Sequence, residues 1–391
     1  MIYLDNAAST QIRLEVLEII NNELINSFAN PSSPYSPARS SRIAVDRSRK
    51  IFADSLNCNE SEIIFTSGGT ESDNTAIKGP AYALKNLGNH IITTSTEHHA
   101  VLHTCNNLEK QGYEITYLPT DEFGMVSKDD VISAIKPNTI LISIIYANNE
   151  LGSLNPIKEI GEAIKKHKGN NSQFPLFHTD AVQAAPFLDL DVDKLGVDLM
   201  SLSAHKFNGP KGIGVLFMKN GVPFEPLITG GGQERQKRSG TENIAFISGS
   251  AEAIKLSENE KTINYDKCLF LKNKIINHLK QRQPNVYING HPKLNLPNII
   301  NLTFPDIRAD DLISALDLED ICISNGSACT SNSLEPSHVL KAIGMDADLA
   351  LNTVRISLGR NNTEDEITQF LKILDKIIKR IRDNKKEFIR K

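Results

Sequence analysis

Seven strand-sized apolar runs lie between about residues 60 and 220, most of them separated by amphipathic stretches. They are EIIFTS (62–67), HIITTS (90–95), EITYLP (114–119), TILISIIYA (139–147), PLFHTDA (175–181), LMSLSA (199–204) and GVLFMK (214–219). SKDDVISAIK (127–136) and IKEIGEAIKKHK (157–168) carry the apolar spacing of one helix face. Strands that alternate with helices pair mostly in parallel, because each crossover helix must pack on a face of the sheet. The pattern predicts an α/β fold whose large domain holds a mainly parallel seven-stranded sheet. Ligands of such sheets sit beyond the carboxyl ends of the strands. The residues just after each run are therefore where chemistry is expected.

The flanks differ. Residues 14–29 and 40–56 read as helices, with NPSSPYSP (30–37) and its three prolines as a break between them. After about residue 245 a long helical stretch runs to Arg282. A smaller α/β unit follows, with VYING (286–290), NIINLTF (298–304), DDLISALDLE (310–319), ICIS (321–324) and VRISLG (354–359), and the chain ends in a helix from Glu364. One core rarely serves 391 residues. The expected division is a large domain over 15–250 and a small domain made of 1–14 and 251–391.

Several classes are excluded. A net charge of −4 gives no reason to expect nucleic acid or an anionic membrane. MIYLDNAAST lacks the basic and apolar regions of a secretory leader, and no apolar run reaches membrane-spanning length. Five cysteines with no CxxC pair argue against a disulfide framework and against a zinc site, so no metal is expected. A reducing cytoplasm is the expected setting.

The strand ends carry candidate chemistry. GGTESDNTAIKG (68–79) could cradle an anion at Gly69 and Thr70 on a helix N-terminus, or could be a glycine turn with Thr70 as cap. TEHHAVL (96–102) places His98 or His99 past the next strand, and HTDAVQ places Asp180 and Gln183 past another. LMSLSAHKFNGPKGIGVLFMK (199–219) sets Ser203, His205 and Lys206 between two apolar strands, where a lysine is a candidate for a lowered pKa and Schiff-base chemistry. Lys211 competes with it but sits in the turn. GGGQERQKRSGTEN (230–243) offers Arg235, Lys237, Arg238 and Thr241 to an anion or forms a surface connection. Arg355 opens a strand and could pair a substrate carboxylate or a structural one. Together these make an anion cradle, a stacking ring, a carboxylate and a buried lysine, the set that holds pyridoxal phosphate.

Cysteine supplies the last signal. Cys329 has Gly326, Ser327, Ala328, Thr330 and Ser331 around it, nothing bulky enough to bury a thiol. Cys58, Cys105, Cys268 and Cys322 read instead as small apolar residues on helices or in core.

YLDNAAST, TSGGTESDN, TEHHAVL, YANNELG, HTDAVQ, SAHKFNGPKGIG, RSGT, GSACTS and VRISLGR resemble the cysteine desulfurases, class V aminotransferase-fold enzymes that use pyridoxal 5'-phosphate. The resemblance runs from residue 3 to about residue 360, and GSACTSxSLEPSxVL matches the NifS/IscS-like branch with the long cysteine loop. It implies the type I fold of these enzymes and removal of sulfur from L-cysteine, giving L-alanine and a persulfide on Cys329. It implies that Lys206 binds the cofactor aldehyde, His98 stacks on the ring and Asp180 pairs the ring nitrogen. Gln183 and Asn149 would lie near the phenolic oxygen, with Asn149 also near substrate. Gly69, Thr70, Ser203 and His205 would hold the phosphate, with Thr241 supplied by the neighbouring subunit of a homodimer. Arg355 would clamp the substrate carboxylate.

The implied partners are L-cysteine, a second copy of the chain, and a sulfur-acceptor protein docking near Cys329, in iron–sulfur assembly, transfer-RNA thiolation or DNA sulfur modification. Neither direct nucleic-acid binding nor membrane attachment is expected. Selenocysteine lyase, another class V reaction and an inactive sulfur-carrier subunit are the alternatives. Tyr35 and Ala38 stand where the family carries histidine and glycine, and KGNNSQ (168–173) reads as a loop extension. The loop of Cys329, about 324–336, is expected to be poorly ordered in the absence of an acceptor.

Overall fold

The structure, a computed structural model, describes residues 1–169, 174–325 and 335–389. The chain enters through a short strand, β1 (Ile2–Tyr3), and two helices, α1 (Leu14–Asn26) and α2 (Ser36–Leu56). α2 starts inside the proline-rich stretch read as a break. Pro37 sits in its first turn, where a missing N–H costs nothing and the fixed φ suits a helix.

A strand–helix alternation follows: β2 (Ile63–Thr66), α3 (Gly69–Ala83), β3 (His90–Thr94), α4 (His99–Glu109), β4 (Glu114–Leu118), α5 (Lys128–Ser133), β5 (Thr139–Ser143), α6 (Ile157–Lys168), β6 (Leu176–Asp180), α7 (Val192–Leu195), β7 (Leu199–Ser203) and β8 (Gly214–Met218). These strands form one sheet in the order β2-β8-β7-β6-β5-β3-β4. β8 runs antiparallel to both its neighbours and the other pairings are parallel. The expected mainly parallel seven-stranded sheet is therefore present. β5 is shorter than its apolar run, yet Ile144 and Tyr146 still donate N–H bonds to the carbonyls of His178 and Asp180.

Alternation of side chains along the strands decides what each face meets. Leu141, Leu176, Leu199 and Leu216 pack with Ala76 and Ile77 of α3 and with Val101 and Cys105 of α4. Ile142, Phe177, Met200 and Phe217 pack on the opposite face with Val45 and Phe52 of α2, Ile160 of α6, and Ile247 and Ile254 of the long helix α8 (Ile244–Arg282).

α8 leaves this core and enters a second one through Cys268, Leu271, Ile275 and Leu279. There it meets the antiparallel strands β9 (Tyr287–Asn289) and β10 (Ile299–Thr303), then α9 (Ala309–Asp317) and β11 (Ile321–Cys322). α10 (His338–Ala342), α11 (Ala347–Ala350), β12 (Thr353–Ser357) and α12 (Glu364–Ile389) complete the chain. β12 pairs with β10, while β11 pairs in parallel with β1. Ile2 and Leu4 are buried in this second core, so the N-terminus belongs to it. Residues 5–10 then cross back toward the large sheet, with Asp5 bridged to Ser357 and Thr10 bonded to the carbonyl of His205.

Candidate active site

The carboxyl ends of β6 and β7, the N-termini of α3 and α4, the crossing segment and β12 enclose a cavity of about 420 Å³. Its lining includes eleven of the residues singled out from the sequence: Gly69, Thr70, His98, His99, Asn149, Asp180, Gln183, Ser203, His205, Lys206 and Arg355. Thr241 is exposed and is not among the lining residues. Cys329 and most of its loop lie outside the described residues, as does part of KGNNSQ.

One end of the cavity is an anion cradle. Gly68 has φ +156, a conformation open to glycine, and it swings the chain from β2 into α3. A Cβ on Gly69 would meet Val182 Cγ2 at 3.0 Å and Ser203 Cβ at 3.4 Å, so a side chain there would close the space beside the helix N-terminus. The four N–H groups of a helix's first turn lack intrahelical partners, and the helix dipole adds partial positive charge. Ser203 and His205 face this end, and a second opening beside it is lined by Ser67, Lys211 and Gly212. His205 has Nδ1 3.2 Å from Ser9 Oγ, and burial, aided by Lys206 and Lys211, pushes its pKa down to about 4. It is a neutral donor at pH 7.

Burial sets the charge of the floor. Asp180 caps β6, is 4% exposed, and accepts the Val182 N–H at 2.9 Å. Desolvation raises its pKa, and that N–H together with the Lys206 charge opposes the rise. His98 caps α4 by accepting the Ala100 N–H on Nδ1 at 3.1 Å, which leaves its proton on Nε2. Desolvation first, then Lys206, lowers its pKa to about 4, so the ring is neutral and suited to stacking. Lys206 follows a 3-10 turn after β7 and donates from Nζ to the carbonyls of Ala7 at 2.5 Å and Ala8 at 2.8 Å. Gln183 Nε2 donates to the same Ala7 carbonyl at 2.9 Å.

The far wall is Arg355, 1% exposed. Its Nη2 donates to Asp5 Oδ1 at 2.8 Å and its Nη1 to the Asn149 carbonyl at 2.8 Å. The guanidinium is thus aimed before any substrate arrives. A phosphate cradle, a carboxylate, a flat neutral ring and a primary amine in one cavity match the polar ends and the flat ring of pyridoxal phosphate. The residues present fit that group.

Sequence reading missed other lining residues: Asp73, Glu150 and His338. Glu150 is buried and accepts the Ser337 hydroxyl at 2.6 Å, and burial raises its pKa. The ring centroids of His99 and His338 are 4.4 Å apart, joining α4 to α10. A signal for the buried polar layer was available. Ser143, His178, Asp180, Ser201 and Ser203 occupy same-parity positions in three largely apolar strands.

Two of the basic candidates of the 230–243 segment are engaged elsewhere. Arg238 pairs with Glu71 at 2.9 Å and Arg235 donates to the Glu60 carbonyl. Glu234, Arg235 and Gln236 all have positive φ, held by a buried pair between Arg49 and Glu234 at 2.7 Å. Burial raises the pKa of Cys58 and of Cys268 to about 12 and also raises those of Cys105 and Cys322. These four thiols stay protonated and unreactive at neutral pH.

Residues 2–370 match the family model described as aminotransferase class-V. The chain is 47% identical over 382 residues to "Cysteine desulfurase IscS" of Methanosarcina thermophila, covering 98% of this chain and 93% of that protein. A solved structure described as a NifS-like protein matches with TM-score 0.90 and 35% identity, covering 97% of this chain and 99% of the other. A second, described as SspA in complex with cysteine, matches with TM-score 0.80 and 38% identity, covering 93% of this chain and all of that one.

Proposed function

The chain belongs to the class V aminotransferase family and is a cysteine desulfurase that uses pyridoxal phosphate, and we propose that Cys329 receives the sulfur. The observation that carries this reading is the meeting of His98, Asp180, Lys206 and Arg355 in one cavity. Gly69, Thr70, Ser203 and His205 would hold the cofactor's phosphate, Asp180 its ring nitrogen, His98 its face, and Lys206 its aldehyde. Asn149 and Gln183 would lie near its phenolic oxygen. Once bound, the cofactor supplies an electron sink beside the substrate's Cα.

The chain's own residues do the rest. Arg355 fixes the substrate carboxylate with a guanidinium already braced by Asp5 and Asn149. Lys206 Nζ accepts the Cα proton. Neutral His98 moves a proton from Nε2 at the cavity. Cys329 attacks the substrate sulfur as a thiolate, the Cβ–S bond breaks, a persulfide remains on the enzyme, and alanine leaves.

The working unit is a homodimer in which Thr241 completes the phosphate site of the neighbouring subunit. Its exposure and its place outside its own cavity support this, as does the exposed apolar set of Leu24, Ile25, Phe28 and Ile43 on α1, α2 and the segment between them. The presence of two cores supports a division into 15–250 and a unit made of 1–14 with 251–391, with Ala7, Ile254 and Ile299 of the second unit packing across the boundary into the first core. An acceptor protein for iron–sulfur assembly or transfer-RNA thiolation docks near Cys329, in the cytoplasm. Among the described residues no helix is long and apolar enough to cross a membrane.

The test is Cys329→Ala. The variant should keep the cofactor's absorbance and lose sulfide and alanine formation from L-cysteine. Undiminished formation would remove Cys329 from the role.

A further inference from the structure

We propose that Asp73 is a positioning residue for Asp180, a neutral carboxylic acid that keeps the pair's single negative charge on Asp180. This rests on the reading of Asp180 as the partner of the ring nitrogen. Asp73 lies on α3, one turn in from the anion cradle, lines the cavity and is 1% exposed. One of its carboxyl oxygens, one of Asp180 and a ring nitrogen of His98 all lie within 4.8 Å of one another. Two carboxylates so close in a dry site do not both ionise.

The surroundings decide which one keeps the proton. Asp180 accepts a backbone N–H from Val182 and feels the Lys206 charge, and both favour its anion. Asp73 has only the Ser201 hydroxyl against its burial, and the Asp180 carboxylate pushes it further toward the acid form. Its Oδ1 is buried with no hydrogen-bond partner.

Behind it runs a buried chain of neutral groups. Ser201 Oγ is 3.0 Å from His178 Nε2, and His178 Nδ1 is 2.8 Å from Ser143 Oγ. His178 Nε2 lies 3.7 Å from Asp73 and carries no charge to offer, because burial holds its pKa near 3. The remaining titratable neighbours are Glu97, raised to about 8 by burial, and His98, lowered to about 4. Both are neutral at pH 7. The acid form of Asp73 therefore presents an O–H dipole to Asp180, which stabilises the anion, whereas a second carboxylate would repel it.

The test loads each enzyme with pyridoxal phosphate carrying 15N in its ring and reads the ring nitrogen by solid-state NMR. The set is wild type, Asp73→Asn, Asp73→Ala, Asp73→Ser and Asp180→Asn. Asp73→Asn keeps an N–H donor and should retain the protonated-ring signal of the wild type. Asp73→Ala should move toward the unprotonated signal set by Asp180→Asn, and its cofactor should wash out at least tenfold faster. Asp73→Ser, whose hydroxyl sits one bond nearer the backbone than the carboxyl oxygens and falls short of Asp180, should follow alanine and serves if alanine does not fold.

A wild-type signal in the alanine and serine variants overturns the proposal and leaves the reading of Asp180 intact. An Asp180-like signal in Asp73→Asn would make Asp73 the ionised partner and also overturns it. A wild-type signal in Asp180→Asn overturns both readings.

Discussion

Acid should weaken this fold, and His178 supplies a measurable share of the loss. His178 is fully buried on β6 between Ser143 and Ser201, and burial lowers its pKa to about 3. In the unfolded chain it titrates near 6.5. Between those values the unfolded state binds a proton that the folded state does not, so stability rises with pH and falls on acidification. At pH 5 the gap is about 1.5 units, and at about 1.4 kcal/mol per unit His178 costs the fold about 2 kcal/mol.

The perturbation is His178→Gln, which keeps polar atoms between the two serines but does not titrate. Urea unfolding of both proteins at pH 7.5 and pH 5.0 gives the loss for each. The wild type should lose about 2 kcal/mol more than the variant. His98 and His205 are lowered to about 4 in the same sense, and they act equally in both proteins, so they cancel in the difference. Equal losses would refute the burial argument, since an unshifted histidine contributes no slope.

Three further outcomes are expected. Arg355→Lys loses the planar fork that binds Asp5 and the Asn149 carbonyl together, so kcat/KM for L-cysteine should fall at least tenfold, from the about 1.5–3 kcal/mol of a charged hydrogen bond, and unchanged steady-state kinetics would contradict it. Gly214→Ala places a Cβ 2.5 Å from the Gly68 backbone, so β8 must shift the turn that carries the cradle. Pyridoxal phosphate affinity by absorbance titration should fall several-fold, and an unaltered titration would mean the turn is not held by β8. Arg49→Met leaves Glu234 buried without its partner and should cost about 3–5 kcal/mol in urea unfolding, most of it recovered by adding Glu234→Gln; a single variant as stable as wild type would show the pair is dispensable.

The sheet was legible because its signal is periodic and its runs are long. All seven predicted runs became strands, since apolar residues on both faces leave a segment such as LMSLS little choice but a buried strand. α2 was misread at its start because proline breaks a helix only beyond the first turn, and Ser36-Pro37 falls within it. Eleven of the candidate residues converge on the cavity because strand ends in such a sheet point to one side. Asp73 was passed over because it sits inside a helical pattern, where an isolated aspartate reads as a solvated residue. Its burial comes from α3 lying across the polar layer of β5, β6 and β7, a contact between distant segments that local pattern does not encode.

That layer gives the cavity its electrostatic character. Desolvation acts on both kinds of titratable group and drives each toward neutrality. It lowers the pKa of His98, His178 and His205 and raises that of Asp73, Glu97 and Glu150. Asp180 resists it, with a backbone donor and a nearby lysine, and the Arg355 guanidinium is braced by Asp5 and a carbonyl. Negative charge is thereby held at the floor and positive charge at the far wall, where the proposed function would place the cofactor's ring nitrogen and the substrate's carboxylate. In water each charge would be screened and its position loose. Here burial among neutral groups limits screening, so Asp180 with its neighbour Lys206 and Arg355 with its partner Asp5 would orient an amino acid between them at little reorganisation cost. A charge introduced anywhere in the neutral layer should therefore disturb the site more than the loss of any one hydrogen bond within it.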